Sequence, residues 1–102
     1  MIIHEKHTTH NLEQSDFDHL KSLGIDEIWY TYEIGGYEGS GQMIMRKGDL
    51  YDHHDMGHCS CFGPIDNMTF NWKPLPELKE YLEKNVWYWE REIKPVFEAY
   101  EL

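Results

Sequence analysis

The sequence predicts an α+β fold: a three-stranded antiparallel β-meander packed against a long C-terminal helix, with a short N-terminal helix beside it. Three observations predict it. Residues 27–34 alternate β-branched and aromatic side chains, glycine-rich or Gly-Asp breaks follow at hairpin spacing, and residues 76–94 repeat apolar positions at helical spacing without a glycine. At 102 residues, 40% hydrophobic and 15% aromatic, the chain has material for one core, so a single domain over 1–102 is expected.

Residues 1–14 are polar and histidine-rich, with His4, His7 and His10 at every third position. A short strand at Met1 to His4, joining the sheet edge, or a loosely ordered arm fits them. Ser15 offers an N-cap, Phe17, Leu20 and Leu23 follow at helical spacing, and Gly24 supplies a stop. From Glu27 to Ile34, Ile28, Tyr30, Tyr32 and Ile34 form one face and Trp29, Thr31 and Glu33 the other. Gly35, Gly36, Gly39 and Gly41 predict a wide turn, Gln42 to Lys47 a second strand, and Gly48-Asp49 a tight turn into a third strand from Leu50 to about Asp55. Residues 56–74 read as a loop anchored by Phe62, Phe70 and Trp72. Pro76 suits the first position of the last helix, whose stripe is Leu78, Leu82, Val86, Trp89 and Ile93. Pro95 predicts a break or kink near residue 94.

Nineteen Asp and Glu against nine Lys and Arg give a formal charge of -10. That sign repels phosphate, so direct nucleic-acid binding is not expected. The charge is also clustered: residues 22–45 hold Asp26, Glu27, Glu33 and Glu38 without a base, and residues 48–72 hold Asp49, Asp52, Asp55 and Asp66 without one. A continuous negative field steers basic surfaces toward it; it also keeps a small protein dissolved. The longest apolar run, Val86 to Trp89, is far short of the ~20 residues of a membrane span. No charged-then-apolar leader opens the chain. Cys59 and Cys61 flank one serine, too close for a useful disulfide, so free thiols or metal ligands in a reducing cytoplasm are expected.

His53-His54-Asp55-Met56-Gly57-His58-Cys59-Ser60-Cys61 is the segment richest in ligand chemistry. His54, His58, Cys59 and Cys61 could supply four donors to zinc if the chain reverses at Gly57, although standard sites use two separated ligand pairs. The same residues could instead act as reactive thiols, or as small buried side chains shaping a tight loop. No zinc-deaminase or His-Glu-x-x-His pattern occurs. Trp87 and Tyr88, beside the helical stripe, could form a partner patch or the two-fold contact of a homodimer.

Two stretches, Tyr37-Glu38-Gly39-Ser40-Gly41 and His54-Asp55-Met56-Gly57-His58-Cys59-Ser60-Cys61-Phe62-Gly63-Pro64, resemble motifs of a group of small uncharacterised bacteriophage and prophage proteins. The similarity spans about residues 30–66. It implies a phage setting and no mechanism. With the acidic windows, it leads to an expected inhibitor of the anti-restriction or anti-CRISPR type, binding a basic surface of a host protein in the cytoplasm. Glu33, Glu38, Asp49, Asp52 and Asp55 would supply the electrostatics, and Tyr37 and Tyr51 contact area. The alternatives are a zinc-binding or thiol-based module at His54, His58, Cys59 and Cys61, and a homodimeric domain.

Overall fold

The computed structural model describes residues 1–36, 38–57 and 63–102. The chain runs β1 (Ile2–His4), α1 (Gln14–Ser22), β2 (Glu27–Gly35), β3 (Glu38–Lys47), β4 (Leu50–Asp55), α2 (Leu75–Asn85), a π-helical turn (Trp89–Ile93) and α3 (Lys94–Ala99). The sheet order is β1-β2-β3-β4, with β1 parallel to β2 and the remaining pairs antiparallel. The expected three-stranded antiparallel meander with one long C-terminal helix is therefore corrected to a four-stranded mixed sheet with three short helices.

Two physical causes account for the difference. The first is the β1–β2 connection: it contains α1, and a connection that crosses the sheet through a helix returns the next strand parallel. The second is the run Val86-Trp87-Tyr88, where β-branched and aromatic side chains crowd a helical backbone. Val86 turns extended at φ -113° and ψ 113°. The chain then re-enters helical geometry through a π turn in which Lys94 N–H reaches back to the Trp89 carbonyl. The wider turn accommodates Pro95, which lies in the first turn of α3 and has no N–H to donate. The stripe residues Leu78, Leu82, Trp89 and Ile93 still bury together, along a broken path.

The helices cover opposite faces of the sheet instead of lying side by side. On the first face Ile28, Tyr30, Tyr32, Met43 and Met45 pack with Leu12, Leu20 and Ile25 of the α1 region. On the second, Trp29 and Ile44 pack against Leu78, Leu82, Trp89, Ile93, Val96 and Phe97. β2 alternates for this reason between two buried faces, with Trp29 the anchor of the second. α1 starts one residue before Ser15, at a Glu13 cap whose N–H donates to Asp16 Oδ2 at 3.0 Å.

The edges of the sheet are occupied at two places. Tyr51 and Lys73 exchange backbone hydrogen bonds of 2.6 and 2.9 Å along β4. Beyond β1, the arm closes β2: Thr9 and His10 N–H donate to the Tyr32 carbonyl, Tyr32 N–H donates to Thr8 Oγ1 at 2.7 Å, and Ile34 N–H donates to His10 Nδ1 at 3.2 Å. The expected wide glycine turn is mostly ladder, since Gly35 pairs with Glu38, Ile34 with Gly39 and Tyr32 with Gly41. At Gly41 the strands approach so closely that a Cβ would sit 2.0 Å from the Thr31 carbonyl oxygen. Among the described residues no helix is long and apolar enough to cross a membrane.

Candidate functional site

The C-terminal helices cover the second face over Trp29, Ile44 and Tyr51. Toward the β2–β3 turn that face carries Thr31 paired with Gln42 and Glu33 paired with Ser40. Pleat alternation points these four side chains the same way. A cleft of about 280 Å³ opens over them, bounded by His7 and Thr9 of the arm and by Glu92 of the π turn. Among the described residues, no lysine or arginine lines it. Arg91, next to Glu92 in the chain, has Nη2 4.0 Å from Glu92 Oε1 and a side chain 76% exposed; an ion pair so exposed holds weakly.

The floor is fastened from β4. Gln42 is 4% exposed, and its Oε1 lies 2.5 Å from His53 Nε2. With the amide oxygen as acceptor, the imidazole carries its proton on Nε2. Burial pushes His53 down to about 4, against the pull of the Asp55 charge and with a further push from His54. His53 is consequently neutral at pH 7. Asp55 lies opposite Gln42; burial first, then the Asp55 charge, pushes the Tyr88 phenol up to about 12. Tyr88 thus keeps its proton.

Of the residues expected to meet a partner, the structure brings Glu33, Glu38 and Asp55 to this end, all exposed. Asp49 is exposed in the β3–β4 turn, at the opposite end of β3 and roughly 30 Å from Glu38 at ~3.3 Å per residue. Asp52 is 8% exposed and engaged internally: Oδ1 accepts His53 N–H at 2.8 Å and Oδ2 accepts Asn71 N–H at 2.6 Å. It fastens the segment before α2 to β4. Tyr51 stacks on Trp29 with centroids 6.1 Å apart and is half-buried. Tyr37 lies outside the described residues. The seven-residue acidic surface expected from sequence is therefore narrowed to one end of the sheet.

Of the expected zinc ligands, His58, Cys59 and Cys61 lie outside the described residues. His54 points to the first face, and its Nε2 lies 2.8 Å from the Pro64 carbonyl oxygen. Burial pushes its pKa down, partly offset by that bond. Among the described residues no group of three or more His, Cys, Asp or Glu is placed to hold a metal ion.

Sequence reasoning missed Thr31, Ser40, Gln42 and Glu92 as site residues, and read Tyr88 only as part of an aromatic partner patch or dimer contact. One signal was present: the Trp29-Thr31-Glu33 face turns polar halfway along β2, so a covering helix has nothing apolar to bury there. Glu92 carried no signal, because the expected continuous helix gives no reason to bring it over the sheet. The chain matches no protein-family model, no curated protein and no solved structure.

Proposed function

We propose that the protein is a small acidic binding protein of phage origin that attaches to a basic surface of a host defence or nucleic-acid-handling protein and inhibits it, in the anti-restriction or anti-CRISPR manner. One observation carries the reading: Glu33, Glu38 and Asp55, exposed on three strands, lie toward one end of the sheet, where a cleft bordered by Glu33 and by Glu92 of the π turn has, among the described residues, no lysine or arginine in its lining. Carboxylates brought together from separate elements repel one another unless a cation joins them, and such a focused field draws basic partners. The motifs at residues 37–41 and 54–64 supply the phage setting.

The test is capture from bacterial lysate on the immobilised full chain, eluted with rising salt, beside an E33Q/E38Q/D55N variant. Basic proteins should be retained by the native chain, released by salt and lost from the variant, and the purified captured protein should lose activity when the native chain is added. Retention that is unchanged in the variant, or a captured protein that stays fully active, would overturn the proposal.

A further inference from the structure

We infer that the open edge of β1 is a self-association surface, on which a second copy of the chain lays its own β1 antiparallel about a two-fold axis through Ile3, joining two four-stranded sheets into one. The inference goes beyond the acidic-surface reading and does not depend on it. Successive residues of a strand point their N–H and C=O to opposite sides. Ile2 N–H donates to the Asp26 carbonyl at 2.9 Å, so the N–H and C=O of Ile3 point away from β2 and, among the described residues, meet no protein atom. Other edge positions are covered: Lys73 exchanges bonds with Tyr51, Asp52 Oδ1 accepts His53 N–H, and the Tyr30 and Tyr32 carbonyls accept from the Tyr100 hydroxyl and from the arm. Lysine, proline and bulges are the usual guards of an exposed edge. Ile2–His4 has none of them, and Ile2 and Ile3 are 54% and 36% exposed.

The side chains make the occupant a second copy. By their register with Glu27, Ile28 and Trp29, Ile2 and His4 lie on the second face and Ile3 on the first. An antiparallel pair centred on Ile3 sets Ile3 against Ile3 and places Ile2 of each copy opposite His4 of the other, on the same face. Beside His4 opens a cavity of about 460 Å³ lined by Ile3, His4, Glu5, Lys6, Trp29 and Tyr100. An exposed isoleucine and an aromatic-walled cavity therefore meet twice across one axis, as an isologous interface requires. The wall is fixed in advance: His4 stacks on Trp29 with centroids 5.0 Å apart, its Nε2 lies 2.6 Å from Glu27 Oε2, and the Tyr100 hydroxyl donates to the Tyr30 carbonyl at 2.7 Å. Charge agrees. A chain of formal charge -10 repels its own copy except where carboxylates are engaged. Here Glu5 accepts from the Tyr30 hydroxyl at 2.6 Å, and Glu27 is held by His4 and Arg46. A three-residue strand buries little surface, so the dimer belongs with the weak contacts below ~1,200 Å².

The experiment follows the full chain by sedimentation equilibrium and NMR from about 10 μM to about 1 mM, where a weak contact shows, with I2K, I3P and W87A beside it. I2K, at an exposed position, exchanges the entering apolar side chain for a charge beside Lys6 of the other copy. I3P removes an N–H that no β1–β2 bond uses. The native chain and W87A should dimerise as concentration rises, with the Ile3 amide shifting most. I2K and I3P should each raise Kd about tenfold or more, and I2K should keep native amide dispersion at every concentration. In a mixture of isotope-labelled and unlabelled native chain, nuclear Overhauser contacts should join Ile2 of one copy to His4 and Tyr100 of the other. A native chain still monomeric at about 1 mM, a dimer that I2K leaves unchanged, or a dimer that W87A abolishes would overturn the inference.

Discussion

His53 makes the folded state sensitive to mild acid. In the folded protein its imidazole is neutral, with a pKa lowered from an ordinary 6.5 to about 4, whereas in the unfolded chain it takes a proton as pH falls through ~6.5. Between those values the unfolded state binds more protons, so stability falls as pH falls and is flat above ~6.5. At ~1.4 kcal/mol per pH unit, the loss between pH 7 and pH 5 comes to about 2 kcal/mol, a large part of the ~5–15 kcal/mol of a small domain. His54, also lowered, adds loss of the same sign. Glu27, which burial would raise but which its His4 and Arg46 partners hold below 4.5, weakens the fold only at lower pH. The assay is urea unfolding at pH 7 and pH 5 for the native chain and H53Q, whose amide can still meet Gln42. H53Q should remove about 2 kcal/mol of the pH-dependent loss, whatever its stability at pH 7. An equal loss in both proteins would refute the assignment of a buried neutral imidazole at this position.

Three further outcomes follow from packing. G41A should destabilise the fold by about 3 kcal/mol or more, because a Cβ 2.0 Å from the Thr31 carbonyl forces two strands apart, an overpacking of backbone with no rotamer to absorb it; thermal melting reads it. D52A removes the acceptor of Asn71 N–H and His53 N–H and should cost about 2–3 kcal/mol, with faster amide exchange at Asn71. W87A, at a side chain 85% exposed, should change stability by no more than about 0.5 kcal/mol, while W89A, 8% exposed, should cost about 3–5 kcal/mol; similar effects from the two would contradict the packing of Trp89 in the second core.

The hairpin strands were legible because their alternation is local: β2 occupies Glu27–Gly35 and β4 Leu50–Asp55, close to where the β-branched and aromatic pattern ends. The parallel pairing of β1 was not. Ile2 and Ile3 carry no register of their own, and only the passage of α1 across the first face sets their direction. The break at Val86 was hidden for a related reason. Leu78, Leu82, Trp89 and Ile93 keep helical spacing across it, and periodicity does not distinguish one helix from two segments sharing a stripe. At the site, Glu33, Glu38 and Asp55 were visible as charge, but Asp52 looked equivalent to them until its two oxygens met backbone N–H groups. Charge is read from sequence, whereas burial of a carboxylate depends on a loop, here residues 69–73, folding back over the strand.

Binding at the acidic end is tested most directly by the affinity of a fluorescent arginine-rich peptide as salt is raised from about 0.1 to about 1 M, where the screening length shrinks from ~10 to ~3 Å. The native chain and D49N should bind alike at low salt and lose affinity steeply, and E33Q/E38Q/D55N should bind at least tenfold more weakly at low salt with a shallower salt slope. An affinity that D49N lowers as much as the triple variant does, or one indifferent to salt, would contradict a binding site at this end of the sheet.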